Sequence, residues 1–115
     1  MLPSMIIEGN MNMLIKERYE IRANIFKAMA HPTRLFIVEE LVNSEKCVNE
    51  FQKMIKCDMS TVSKHLALLK NAGIIESQKR GNHIYYKLKF PCIMNFFECV
   101  ESVIKRQISD SVKSI

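Results

Sequence analysis

The stretch Asp58–Ile75, DMSTVSKHLALLKNAGII, decides how the rest of the chain is read. Set on a helix of about 3.6 residues per turn, Val62, Leu66 and Leu69 form one apolar stripe, and Ser60, Ser63, Lys64, Lys70 and Asn71 fall on the far side. Asp58 is a good N-cap for a helix starting at Met59, and Gly73 suits the glycine position just past its end. Ahead of it, Val48, Phe51 and Met54 or Ile55 repeat an apolar pattern, and Lys56-Cys57 makes a short connection. Two helices meeting across a tight turn have helix-turn-helix spacing. A second helix that turns Ser60, Thr61, Ser63, Lys64 and Lys70 outward suits phosphates and base edges, so the expectation is a DNA recognition helix. A plain helical hairpin whose solvated face lacks acids is the competing reading.

The residues after the helix favour recognition. From Ile74 the pattern changes to a strand period, with Ile84, Tyr86 and Leu88 alternating against His83, Tyr85 and Lys87, and Gly81-Asn82 fits a two-residue hairpin turn. A hairpin placed directly after a recognition helix, with Lys79, Arg80, Asn82 and His83 at its tip, is a wing able to reach a minor groove or the backbone.

Three segments, HPTRLFIVEEL from His31, STVSKHLALLKNAGII from Ser60 and KRGNHIYYKL from Lys79, resemble the winged-helix repressors of the ArsR/SmtB type, over about Ile25 to Phe97. The resemblance implies a small dimeric regulator that leaves DNA when a metal, metalloid or thiol-reactive signal binds. The implied fold is mainly α with a small β-hairpin, in the order α-α-α-α-β-β-α. Residues 1–11 are expected as a flexible N-terminus, and 12–115 as a single winged-helix domain dimerising through its terminal helices.

At 115 residues the chain has room for one domain, and nearly half of it is apolar, as a folded protein requires. Its apolar runs fall far short of the ~20 residues of a membrane span, and MLPSMIIEGN has neither a basic leader nor an adequate apolar run after one, so the expectation is a cytoplasmic protein with no membrane partner. The net charge of +5 is unevenly spread. Residues 51–90 carry eight bases against two acids, and the other 75 residues carry nine against ten. All the positive excess lies in the helix-plus-wing module, the electrostatic footprint of a nucleic-acid binder; the partner that the resemblance implies is double-stranded promoter DNA.

In chain order, Asn12 to Met29 reads as an amphipathic helix with Leu14, Arg18, Ile21, Ile25 and Met29 nearly in line. His31-Pro32 breaks it, and Pro32 starts a helix through about Val42 with Leu35, Ile37 or Val38, and Leu41 inward. Arg34 is read as a structural ion-pair partner in preference to a phosphate contact, since single arginines near helix starts usually serve the fold. The last helix, from near Pro91 to about Ser109, carries two adjacent apolar stripes: Cys92, Phe96, Cys99, Val103 and Ile93, Phe97, Val100, Ile104. One stripe docks a helix on its own domain; two make a face about twice as wide, for which the expected cover is a second copy of the chain. Two-fold related recognition helices then address half-sites about one DNA turn apart.

Four cysteines, Cys47, Cys57, Cys92 and Cys99, show no CxxC pair and no disulfide framework. That absence argues against a thiol-redox enzyme or metal carrier. Cys57 is read as core. Cys92 and Cys99 are seven apart, about 10.5 Å along a continuous helix, beyond the ~7 Å reach of a disulfide. Some arsenite-sensing relatives use cysteines of this last helix, and others a CVC motif where this chain has KCVNEF, with Asn49 in place of the second thiol. The resemblance therefore implies, as alternatives to simple packing, a thiolate site for As(III) or another thiophilic metal ion built from Cys47, Cys92 and Cys99, or a redox or reactive-sulfur switch on the same thiols. No cofactor is required for DNA binding itself. His31, His65 and His83 lie in three different elements, the last helix lacks the histidines of a zinc site, and no catalytic constellation assembles, so no enzyme is expected.

Overall fold

The structure, a computed structural model, describes residues 9–113, with side chains described over 14–112. Five helices and three strands are present among them: α1 (Gly9–Met29), α2 (Pro32–Asn43), β1 (Lys46–Cys47), α3 (Val48–Ile55), α4 (Met59–Asn71), β2 (Ile75–Arg80), β3 (His83–Leu88) and α5 (Ile93–Lys113). The strands form one antiparallel sheet in the order β1-β3-β2. This is a winged helix-turn-helix, as the periodicities required.

Four details correct the sequence reading. The chain has a third strand, β1, in which Lys46 pairs with Tyr86 and Cys47 with Tyr85; two residues are too short to show a period of two. Leu35, expected inward, is 41 % exposed, and Ile37, Val38 and Leu41 hold the inner face of α2. The last helix begins at Ile93, so Cys92 lies just ahead of it. The amides of Ile93, Met94 and Asn95 donate to the carbonyls of Phe90, Pro91 and Cys92 at 3.1, 3.2 and 3.1 Å, a tighter three-residue turn leading into the helix. Helix α1 starts at Gly9, three residues ahead of Asn12, and residues 1–8 of the expected flexible N-terminus lie outside the described residues.

The core sits where α2, α3 and α4 meet the root of the sheet. Ile37, Val38, Phe51, Val62, Leu66, Leu69 and Ile75 are fully enclosed, joined by Met29, Leu41, Ile74 and Leu88. Each such side chain contributes about 1.5–3 kcal/mol by leaving water. Their common effect is to clamp α4 along its buried stripe.

Candidate nucleic-acid interface

Local chemistry fixes both ends of α4. The Asp58 carboxylate accepts the Thr61 amide at 2.7 Å and the Ser60 hydroxyl at 2.8 Å. The side chain and amide of Thr61, then the Ser60 hydroxyl, hold the Asp58 carboxyl down at about 2, so the cap is ionised at any ordinary pH. At the other end the Gly73 amide donates to the Lys70 carbonyl at 3.0 Å and the Ile74 amide to the Leu69 carbonyl at 3.1 Å, with Gly73 at φ +79°. That is a Schellman ending, which glycine alone enters without a Cβ penalty. Between α3 and α4, Lys56 takes the left-handed conformation at φ 58°, and its amide donates to the Gln52 carbonyl at 3.0 Å. This residue makes the turn tight.

With Val62, Leu66 and Leu69 buried, the outward face of α4 falls into two parts. Ser60 and Thr61 are tied into the cap; Ser63 and Lys64 stand exposed one turn further on, with no side-chain hydrogen bond among the described residues. Lys70 is also exposed, but it lies at the far end of a helix about 20 Å long, where its charge complements the carbonyl end. The first turns of α4 and its last turn therefore address different places.

The hairpin pairs Arg80 with His83 across Gly81-Asn82, as expected. Only Gly81 has positive φ (+63°), the pattern of a type II′ turn with glycine first. Lys79, Arg80, Asn82 and His83 are all exposed at this tip. Arg80 is nevertheless engaged within the wing: Nη1 lies 2.7 Å from the Glu45 carboxylate, Nη2 donates to Gln78 Oε1 at 3.0 Å, and Cζ lies 5.1 Å from the centre of the Tyr85 ring. Glu45 carries no signal in the sequence; it is found only through the fold. Burial pushes the Tyr86 phenol up, consistent with its place against the core at the wing's root.

Behind α4 a cluster missed by the sequence couples it to the α1–α2 turn. The His31 and His65 rings lie 4.6 Å apart, and His31 Nδ1 accepts the Thr33 amide at 3.1 Å as the N-cap of α2. Loss of water, then His31, then Arg34 hold the His65 imidazole below its ordinary 6.5. Arg34 is half-buried here, at the root of α2, rather than on an outward face.

The thiols are dispersed. Cys47 is buried at the start of α3, its amide donating to Glu50 Oε1 at 3.1 Å; Cys57 is half-buried against the core; Cys92 and Cys99 are exposed. Among the described residues of the single chain, no three His, Cys, Asp or Glu side chains converge on a metal position. On α5, Ile93 and Phe97 pack on the core, and Phe96, Val100, Val103, Ile104, Ile108 and Val112 remain exposed, Phe96 with its ring centre 5.6 Å from that of Phe26 of α1; Ile21 and Leu14 of α1 are exposed as well. Both terminal helices thus leave large apolar side chains uncovered, α5 along most of its length. Among the described residues no helix is long and apolar enough to cross a membrane.

Residues 31–77 match the family model of bacterial regulatory proteins of the arsR family. The chain is 32% identical over 95 residues to Rv0081, an HTH-type transcriptional regulator of Mycobacterium tuberculosis, covering 82% of this chain and 83% of that protein. The crystal structure of Rv0081 superposes with a TM-score of 0.72, over 82% of this chain and 95% of the other. A cadmium resistance transcriptional regulatory protein, CadC of Listeria innocua, is 35% identical over 66% of this chain and 65% of its own length. A homodimeric winged helix-turn-helix domain of Mycobacterium bovis, 22% identical, shares the fold with a TM-score of 0.73 over 90% of this chain and 94% of that one.

Proposed function

Since the chain belongs to the ArsR family of bacterial regulatory proteins and is a DNA-binding transcriptional regulator rather than an enzyme, we propose that it is a cytoplasmic repressor of its own promoter, bound as a homodimer and released by a soft metal or metalloid ion, arsenite foremost. The observation that carries the DNA-binding part is the outward face of α4: Ser63 and Lys64 stand exposed on a helix whose two caps and buried stripe leave it no freedom to turn.

The signal is read from the thiols. Cys92 and Cys99 are exposed on the helix that also carries the uncovered apolar face, or just ahead of it. Because one chain brings no three ligands together among its described residues, a thiolate site must draw on a further sulfur, from Cys47 or from a second copy. Cys47 is buried beside the sheet, so its use requires β1 to shift; a cysteine of the partner requires only the dimer. Arsenous acid and three thiols give three As–S bonds and three waters, and soft ligands of this kind favour such ions. The cadmium-resistance role in the name of CadC and the homodimeric state of the M. bovis domain support the same reading by analogy.

Release by ~10- to 100-fold requires about 1.4–2.8 kcal/mol of coupling between ion and DNA, within the usual range for linked sites. The test is titration of promoter DNA complexes with arsenite. Release of the wild type and of Cys57→Ser, with Cys99→Ser remaining bound, is the expected result. Full release of Cys99→Ser would return these thiols to packing. Release by an oxidant and not by arsenite would favour a disulfide switch, in which two thiols give up two electrons and two protons to the oxidant.

A further inference from the structure

Arg80 ends β2, Tyr85 lies on the neighbouring strand β3, and Glu45 immediately precedes β1 at the far edge of the sheet. The arginine therefore folds back across the wing: from β2, over the Tyr85 ring at 5.1 Å, to the Glu45 carboxylate at 2.7 Å, with its other terminal nitrogen on Gln78 at 3.0 Å. Both terminal nitrogens are in use and one face of the guanidinium is covered. A cleft of about 190 Å³ borders Glu45, Gln78, Arg80 and Tyr85, and with nearly half of its surface in solvent the arginine is not packed in place.

A guanidinium fork fits a carboxylate and a phosphate by the same two-point geometry. Glu45 takes only one point of that fork, Nη1, while Gln78 takes Nη2, so a DNA phosphate presenting two oxygens can replace both single contacts at once. The two side chains are 46 % and 33 % exposed, and an ion pair so well solvated is weak. DNA, with one charge per ~1.7 Å of duplex, offers a denser row of acceptors than the single carboxylate. We infer that Glu45 is a latch on the wing: it holds Arg80 folded across the sheet in the free protein, and a backbone phosphate takes its place when the wing meets DNA. Glu45 is then a positioning residue that sets affinity through Arg80 without touching the nucleic acid. This deepens the DNA-binding reading, resting on the wing as a DNA-facing element and not on the identity of the signal.

The test is a double-mutant cycle on promoter DNA with the full-length chain: wild type, Glu45→Gln, Arg80→Gln and both together, at matched ionic strength. Glu45→Gln is expected to bind about two- to five-fold tighter than wild type, the range an exposed ion pair supplies, and to change nothing when added to Arg80→Gln. Equal tightening in both backgrounds would show a bulk charge effect and overturn the latch. Weaker binding by Glu45→Gln would make Glu45 a prop that shapes the wing, and unchanged binding would leave Arg80 unrestrained; either outcome overturns it. Thermal midpoints of all four proteins separate these effects from folding. If the wild type binds no promoter DNA, the regulator reading fails first and takes the latch with it, an outcome distinct from binding without coupling.

Discussion

Ser63 and Lys64 owe their availability to Asp58. By taking up the Thr61 amide and the Ser60 hydroxyl, the cap commits the Ser60 side chain to the helix itself, while the Ser63 and Lys64 side chains make no hydrogen bond among the described residues. Lys64→Ala should therefore weaken promoter binding uniformly across DNA sequences and reduce the slope of log affinity against log salt by about 0.9, as the loss of one phosphate contact does. An unchanged slope, measured by fluorescence anisotropy over a salt series, would move Lys64 off the interface. At the back of the same helix, His65 faces His31 and Arg34 and is held neutral below its ordinary 6.5. Above that value His65 is neutral in both folded and unfolded chains and contributes no pH dependence. As pH falls below it, the unfolded chain takes up a proton that the folded chain refuses, so stability declines, levelling off below the folded value. Urea midpoints between pH 7.5 and 5.5 should fall less for His65→Gln than for the wild type.

Among the elements, α3 and α4 are joined by burial and α5 is left half uncovered. Phe51, fully buried on an eight-residue helix, fixes α3 against the stripe of α4, so the tight Lys56 turn is reinforced by packing on both sides. On α5 the opposite holds. Val103 is 53 % exposed on a helix whose Phe97 is already committed to the core. A charge at Val103 costs the single chain little and the covered face much. Val103→Lys is expected to fold, to run as a monomer in sedimentation equilibrium, and to lose most of its affinity for a palindromic site while keeping weak binding to half of it. A dimeric Val103→Lys protein would place the second copy elsewhere.

For the molecule as a whole, shape and charge point the same way. Its radius of gyration is 17.9 Å, against about 13 Å for a compact chain of ~100 residues, because two 21-residue helices of about 31 Å extend beyond the core. Such a shape suits half of an assembly. With the basic excess confined to residues 51–90, a dimer offers two positive modules separated by a nearly neutral body. Six to ten phosphate contacts per dimer imply a loss of affinity of ~10³ to 10⁵ between 50 and 200 mM salt. A complex that is indifferent to salt over that range would contradict binding through these modules.

Local pattern by itself determined helix α4, its two caps, the hairpin with its turn and the segregation of charge, because each depends on residues close together in the chain: a stripe at helical spacing, Asp58 three residues before Thr61, Gly81 between two alternating runs. The double stripe of α5 likewise announced a face wider than one domain needs. Only the tertiary structure decided what depends on distant pairing. β1 exists because Lys46 and Cys47 meet Tyr86 and Tyr85; the His31–His65 contact joins residues 34 positions apart; and Glu45 reaches Arg80 across a strand that neither belongs to. The tertiary structure also dispersed the thiols, since the exposure of Cys99 and the burial of Cys47 come from which face of each element the core claims, and spacing along the chain does not specify that.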